Sequence, residues 1–70
     1  MENQDEYEYI SDEPMKCPNC VNLEKGMIGV KDGMQKTIEG NLEMHYLFPN
    51  GFILEESFLI ARTDLFNKVK

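Results

Sequence analysis

Six acidic residues and no basic residue fall within the first 14 positions of this 70-residue chain. Like charges in so short a segment repel one another, and Pro14 closes the segment. We therefore expect residues 1–14 to form an acidic, flexible tail and residues 15–70 to form the one folded domain. That domain holds seven acidic and seven basic residues, so the net charge of −6 belongs to the tail.

A domain this short has a marginal hydrophobic core, and small domains commonly add a metal, a dimer interface or a partner protein. The chain offers no nucleophile paired with a base and no glycine-rich phosphate loop, and it is too short to enclose a substrate. We therefore expect a protein that is not an enzyme and whose fold is completed by one of these three additions.

Location and ligand class follow from the same composition. The longest unbroken apolar run is far shorter than the roughly 18 residues of a membrane span, and the acidic start is unlike a signal peptide. We expect a soluble, cytoplasmic protein without membrane contact. The basic residues are scattered among acids, so we expect no direct binding of nucleic acid.

Turn signals in the first half of the domain predict a β-hairpin. A strand over residues 26–31 reaches Asp32-Gly33, a favoured two-residue hairpin turn. Residues 34–39 then form the return strand. The segment from Leu42 to Phe48 alternates between apolar and polar residues, which predicts a half-buried strand.

The last third of the chain predicts a further strand and a helix. The sequence Pro49-Asn50-Gly51 is a turn signal, and a buried strand over residues 52–54 follows it. From Glu55 the apolar residues fall at helical spacing, with Thr63 as a possible cap between two short helices: Phe58, Ala61, Leu65 and Val69. The predicted fold class is α+β, a small antiparallel β-ribbon with a C-terminal helix.

The sequence Lys16-Cys17-Pro18-Asn19-Cys20 is the only compact motif. A CxxC pair before a hairpin is typical of half a zinc ribbon, and zinc is the cofactor that it suggests. Three interpretations stay open: a degenerate knuckle without metal, a site completed by His45 or by a second copy of the chain, and a redox pair. The predicted hairpin after the motif weighs against redox chemistry, which needs a helix there.

Aromatic residues interrupt the acids of the predicted tail. The tail is either solvated and disordered or a short peptide that docks on a basic, apolar groove. The two phenylalanines that flank the Pro-Asn-Gly turn are either core residues or part of the same contact. The predicted partner-binding residues are Glu6, Tyr7, Glu8, Tyr9, Ile10, Asp12, Phe48 and Phe52.

The order of these motifs resembles the N-terminal zinc domain of MqsA/YgiT-type antitoxins. Residues 15–20 match the Met-Lys-Cys-Pro-x-Cys opening of that domain, and residues 29–32 match its Gly-Ile-Lys-Asp-like stretch. Residues 36–40 match its Lys-Thr-aliphatic strand ending in glycine. Residues 55–57 match the Glu-Glu-Ser that follows its second cysteine pair.

The resemblance covers residues 15–57 and lacks the second CxxC, because Gly51 and Leu54 stand in its place. It implies a degenerate zinc-ribbon-like unit with a terminal helix that binds a toxin or another protein. In the family, DNA binding belongs to a separate helix-turn-helix domain, so the resemblance implies none here.

Together these features predict a small protein-binding module, an inhibitor or antitoxin-like neutraliser of a basic, nucleic-acid-handling protein. An acidic tail can occupy a cationic groove and is steered there by long-range attraction. The alternative is a structural zinc-binding homodimer or accessory subunit, in which Cys17 and Cys20 of two chains share one metal.

Overall fold

The computed structural model describes residues 5–16 and 21–69, which form a small α+β domain. One curled antiparallel sheet has the strand order β4-β3-β2-β1-β5, so the last strand returns to pair with the first. No helix within these ranges is long and apolar enough to cross a membrane. The elements are β1 (Glu6–Tyr9), β2 (Ile28–Lys36), β3 (Leu42–Leu47), β4 (Ile53–Glu55), α1 (Glu56–Ala61) and β5 (Phe66–Lys68).

The first strand is the largest departure from the expected fold. Instead of belonging to a flexible tail, residues 6–9 form β1 between β2 and β5. Successive side chains of a strand point to opposite faces. Tyr7 and Tyr9 are therefore buried together, at 7% and 2% exposure, while Glu6 and Glu8 point away. The tail is not confirmed, because burial of two aromatic rings outweighs repulsion among acids spread over the surface.

Further contacts fix both ends of β1. The Asp5 carboxylate lies 3.5 Å from Nζ of Lys31 on β2 and 3.5 Å from Nζ of Lys68 on β5. At the other end, the Tyr9 hydroxyl donates a hydrogen bond of 2.6 Å to the carbonyl oxygen of Glu13. The strand is thus tied to both of its neighbours and to the loop that follows it.

The hairpin turn predicted at Asp32-Gly33 is wrong, because β2 runs through these residues without reversing. The pairing of β2 with β3 shifts between Lys31 and Gly33, and Gly33 has a φ of 119°. A glycine with positive φ serves a β-bulge as well as a turn, so the dipeptide alone does not distinguish them. The reversal comes later, at residues 37–41.

The alternating segment after the reversal forms β3, as predicted. The turn over residues 49–51 and the strand that follows it are also observed. One detail differs, since Ile53 of β4 is 47% exposed rather than buried. The pairing with β2 confirms that three apolar side chains of β3 share one face: Leu42, Met44 and Tyr46.

The predicted C-terminal helix is shorter than its apolar spacing suggested. Helix α1 ends at Ala61, no helix begins at Thr63 among the described residues, and residues 66–68 form β5. Pairing with β1 brings the Phe66 ring to 5.4 Å from the Tyr9 ring, measured between centroids. Tertiary packing against β1 therefore outweighs the local helical pattern.

The core lies on the side of the sheet that carries Tyr46 and is mostly aromatic. Gly29 on β2 lies beneath the Phe48 ring, and a Cβ added at this glycine would overlap that ring. The absent side chain therefore makes room for a buried aromatic residue. The buried hydrophobic residues of the core are Tyr7, Tyr9, Leu23, Tyr46, Phe48, Leu59 and Phe66.

A carboxylate on β3 caps the short helix. Oε2 of Glu43 accepts a hydrogen bond of 2.8 Å from the backbone N–H of Ser57, in the first turn of α1. The N-cap residue itself, Glu55, makes no side-chain capping bond. Hydrogen bonding with Ser57 lowers the pKa of Glu43, and the nearby His45 lowers it further. An anion at this position also complements the helix dipole.

We expect Glu43→Gln to lower the thermal unfolding midpoint at neutral pH and to flatten its dependence on acid pH. Because the pKa of Glu43 is lower in the folded chain, its contribution is complete above the ordinary value of 4.5. It is lost as the pH falls through the lowered pKa. Circular dichroism melts between about pH 7 and pH 3 measure this, with Glu39→Gln in the exposed β2–β3 turn as the control. Superimposable profiles for Glu43→Gln and the wild type would contradict the capping role.

Candidate interaction surface

Directly paired residues of antiparallel strands point to the same face of a sheet. On the face opposite the core, Glu6 pairs with Val30, Val30 with Leu47, and Leu47 with Ile53. These residues form one row across the first four strands. Ile28 lies two residues before Val30 on β2 and shares its face. We refer to Ile28, Val30, Leu47 and Ile53 as the apolar face.

The apolar face is open to solvent. Its four side chains are 39%, 43%, 38% and 47% exposed, in chain order. Three of them line a depression of about 360 Å³, whose remaining wall comes from Phe48, Pro49 and Gly51. Contiguous exposed apolar side chains are a common feature of surfaces that bind other molecules.

Acidic residues border the apolar face. Glu6 and Glu8 on β1 stand directly opposite Val30 and Ile28. On β4, Glu55 lies two residues after Ile53 and so on the same side of the sheet. Within residues 5–16 and 21–69, none of these three glutamates is in an ion pair. We refer to Glu6, Glu8 and Glu55 as the acidic border.

The neighbouring lysines lie on the other side of the sheet. Lys31 pairs with Tyr46 and Lys68 pairs with Tyr7, so both lysines share the face of the core. Their charges are directed to Asp5. The exposed face therefore combines an apolar centre with three glutamates that form no ion pair within residues 5–16 and 21–69, although the charge of Glu8 also attracts that of Lys25.

The predicted partner-binding residues divide between this surface and the core. Glu6 and Glu8 belong to the acidic border. The side chains of Tyr7, Tyr9 and Phe48 lie in the core, with 7%, 2% and 1% exposure. These three residues are therefore not surface anchors in the folded domain, because withdrawing them would empty the core.

The other predicted partner residues lie away from the apolar face. Ile10 follows β1 and is 36% exposed, and Phe52 packs against the core. The exposed Asp12 carboxylate lies 2.7 Å from Nζ of Lys25. This pairing lowers the pKa of Asp12 and raises that of Lys25 through their hydrogen bond and charge attraction.

Of the three predicted metal ligands, the structure describes only His45. Cys17 and Cys20 lie outside the described residues. His45 is 6% exposed on β3, and its Nδ1–H donates a hydrogen bond of 2.9 Å to the carbonyl oxygen of Glu43. In the described part of the chain, no three His, Cys, Asp or Glu residues are grouped so that they could hold a metal ion.

The apolar face itself was not among the predicted site residues, although two signals for it are present. Ile28 and Val30 alternate with Gly29, which is the pattern of a strand with one apolar face. Leu47 falls on the opposite phase of β3 from its buried aromatic neighbours. Each signal is weak alone, since a single exposed aliphatic residue is ordinary on a protein surface.

Comparison of the chain with protein-family models, curated proteins and solved structures gave no match. The resemblance to MqsA/YgiT-type antitoxins therefore remains a hypothesis from the sequence motifs. What the exposed surface does has to follow from its own geometry and charge.

Proposed function

We propose that this protein is a small protein-binding module whose apolar face docks on a basic partner protein. The observation that carries this proposal is a group of four exposed aliphatic side chains beside three glutamates that form no ion pair with any other residue the structure describes. Apolar burial supplies affinity, whereas the charged border supplies steering and selects the partner. The complementary surface has an apolar centre and lysine or arginine residues at its edge.

Such a partner fits an inhibitory role. Basic residues around an apolar groove are the groups with which proteins hold phosphates of nucleic acids. The acidic border competes with phosphate for these residues. Binding would therefore neutralise a nucleic-acid-handling protein, which is the function that the antitoxin resemblance also implies.

The alternative function is a zinc-linked homodimer in which Cys17 and Cys20 of two chains share a metal. One observation favours it. Met15 and Leu23, which lie on either side of the two cysteines in the sequence, form an antiparallel pair with backbone hydrogen bonds of 2.9 and 3.0 Å. Paired flanks are typical of a zinc-ribbon-like knuckle. This function uses the two cysteines and not the apolar face.

We expect Leu47→Glu to abolish capture of basic partner proteins by the immobilised protein from an extract of the cells that make it. The substitution places a charge at the centre of the surface that must be buried, which costs several kcal/mol in an interface. Ile38→Glu is the matched control, because Ile38 is fully exposed in the β2–β3 turn, away from the apolar face. Quantitative mass spectrometry compares the proteins captured by the wild type, by Leu47→Glu and by Ile38→Glu.

The outcomes separate the two functions. Basic proteins that are lost with Leu47→Glu, retained with Ile38→Glu and released by salt support the proposed module. The same captured set with all three baits would contradict it. Native mass spectrometry of the free protein, with and without a chelator, tests the alternative, since a chelator-sensitive dimer with one zinc supports the shared site.

A further inference from the structure

We infer that the partner element covering the apolar face is an amphipathic α-helix that lies across the strands. Its apolar stripe covers Ile53, Leu47 and Val30 in turn, and a lysine or arginine one turn beyond the stripe meets Glu6. This inference rests on the proposed function, because it names the structure that the same face recognises.

The spacing of the row carries the inference. Neighbouring strands lie about 4.8 Å apart, so Val30 and Ile53, which flank β3, are separated by roughly 10 Å across the sheet. A helix rises 1.5 Å per residue, so side chains at positions i and i+7 lie about 10.5 Å apart on one face. The side chain at i+3 or i+4 falls between them, over Leu47. Two turns of a helix therefore match the two spacings between these three strands, with one side chain over each strand.

The position of Glu6 in the row determines where the partner helix must carry its lysine or arginine. Glu6 continues the row on β1, one strand spacing beyond Val30. This distance corresponds to one further helical turn, at position i+10 or i+11. Glu8 on the same strand adds a second carboxylate beside Ile28. A lysine or arginine at that position gains a charge-assisted hydrogen bond, whereas a glutamate meets two like charges.

Other occupants fit the face less well. A β-strand added to the sheet needs an open edge, but Val30 and Leu47 belong to strands that are paired on both sides at these residues. A second copy brings the same acidic border and a net charge of −6. Its α1 has only six residues, and Leu59 of that helix is buried in its own core. Charge complementarity therefore favours a cationic helix from a different protein.

The test uses designed helical peptides as probes with the isotope-labelled protein. The cognate peptide carries leucines at i, i+4 and i+7 and a lysine at i+11 on an alanine and glutamine background. One control peptide has the same composition with the leucines scrambled, and another replaces the lysine with glutamate. Titrations followed by ¹H–¹⁵N NMR give both the site and the dissociation constant.

We expect the cognate peptide to shift the amides of Val30, Leu47 and Ile53 and to bind at least tenfold more tightly than the scrambled peptide. Glu6→Gln should remove most of the difference between the lysine and glutamate peptides, and Leu47→Glu should weaken binding at least tenfold. Ile38→Glu should bind as the wild type does.

Three results would overturn the inference. The first is equal binding of the cognate and scrambled peptides. The second is amide chemical-shift changes confined to residues outside the apolar face. The third is the same chemical-shift changes on raising the protein concentration without peptide, which would make the occupant a second copy. Partner capture that depends on Leu47, combined with equal binding of both peptides, would refute the helix and leave the proposed function standing. If partner capture does not depend on Leu47 and the two peptides also bind equally, both the helix and the proposed function are refuted.

Discussion

Tyr9→Ala is expected to destabilise the domain by about 3–5 kcal/mol, the usual cost of emptying an aromatic site in a core. The Tyr9 side chain is 2% exposed, its ring packs on Phe66, and its hydroxyl donates a hydrogen bond to the Glu13 carbonyl. A domain of this length has a total free energy of unfolding of about 4–10 kcal/mol. The substitution therefore removes a large part of the stability, and at the lower end of this range it leaves a substantial unfolded fraction at 25 °C.

Glu8→Ala on the adjacent position of β1 is the matched control. Its side chain points away from the core, so we expect a change within about 0.5 kcal/mol. Urea unfolding followed by far-ultraviolet circular dichroism measures both variants against the wild type. Equal midpoints for Tyr9→Ala and Glu8→Ala would mean that β1 contributes nothing to stability, which is the behaviour of a flexible tail.

The second large effect is expected at Gly29, where alanine should cost about 3 kcal/mol or more. Overpacking a core typically costs about 1–3 kcal/mol. The upper end applies here, because the new Cβ overlaps the Phe48 ring and that ring is itself held by Phe66, 5.7 Å away between centroids. Gly29 has no positive φ, so the cost comes from space and not from backbone conformation.

A double-mutant cycle with Phe48→Leu isolates this overlap. Leucine lacks Cε1 and Cζ, the two ring atoms that lie closest to the new methyl group, so Gly29→Ala should cost less in the Phe48→Leu background than in the wild type. We expect a coupling free energy of about 1–3 kcal/mol, measured by urea unfolding of the four proteins. Strictly additive effects would show that the two residues do not compete for the same space.

The parts of the fold that the sequence predicted correctly are those with local signals. Strand β3 has a clean alternation, and the turn over residues 49–51 has both a proline and a glycine. Strand β1 has an equally clear alternation, Glu6-Tyr7-Glu8-Tyr9. The number of acidic residues nevertheless led to the prediction of a flexible tail, although a period of two indicates a strand. The lesson is that acidic residues on one face of a strand cost little when aromatic residues fill the other face.

The errors at Asp32-Gly33 and after Ala61 have a different origin. At both places the local signal was genuine, but it fitted two structures. A glycine with positive φ serves a turn or a bulge, and apolar residues near the C-terminus fit a helix or the edge of a core. At each place, pairing with strands distant in the sequence decides which of the two structures forms, and a local sequence pattern carries no information on that pairing.

The apolar face could not be predicted for a related reason. Ile28 and Val30 come from one strand, whereas Leu47 and Ile53 come from two others much later in the chain. Only the register of the sheet brings them onto one surface beside Glu6 and Glu8. A shift of one residue in any of these three pairings would send the side chains of one strand to the core side, so the surface exists only as a property of the folded sheet.

The pairing of the first strand with the last also governs how fast the domain folds. The contact between Tyr9 and Phe66 closes nearly the whole chain into one loop, and such distant contacts slow the folding of β-rich domains. We expect β2, β3 and β4 to associate first through their short connections, which leaves β1 to dock last. In that interval the tyrosines of β1 are exposed and prone to aggregate. Glu6 and Glu8, which alternate with these tyrosines, keep the segment soluble until β1 pairs with β2.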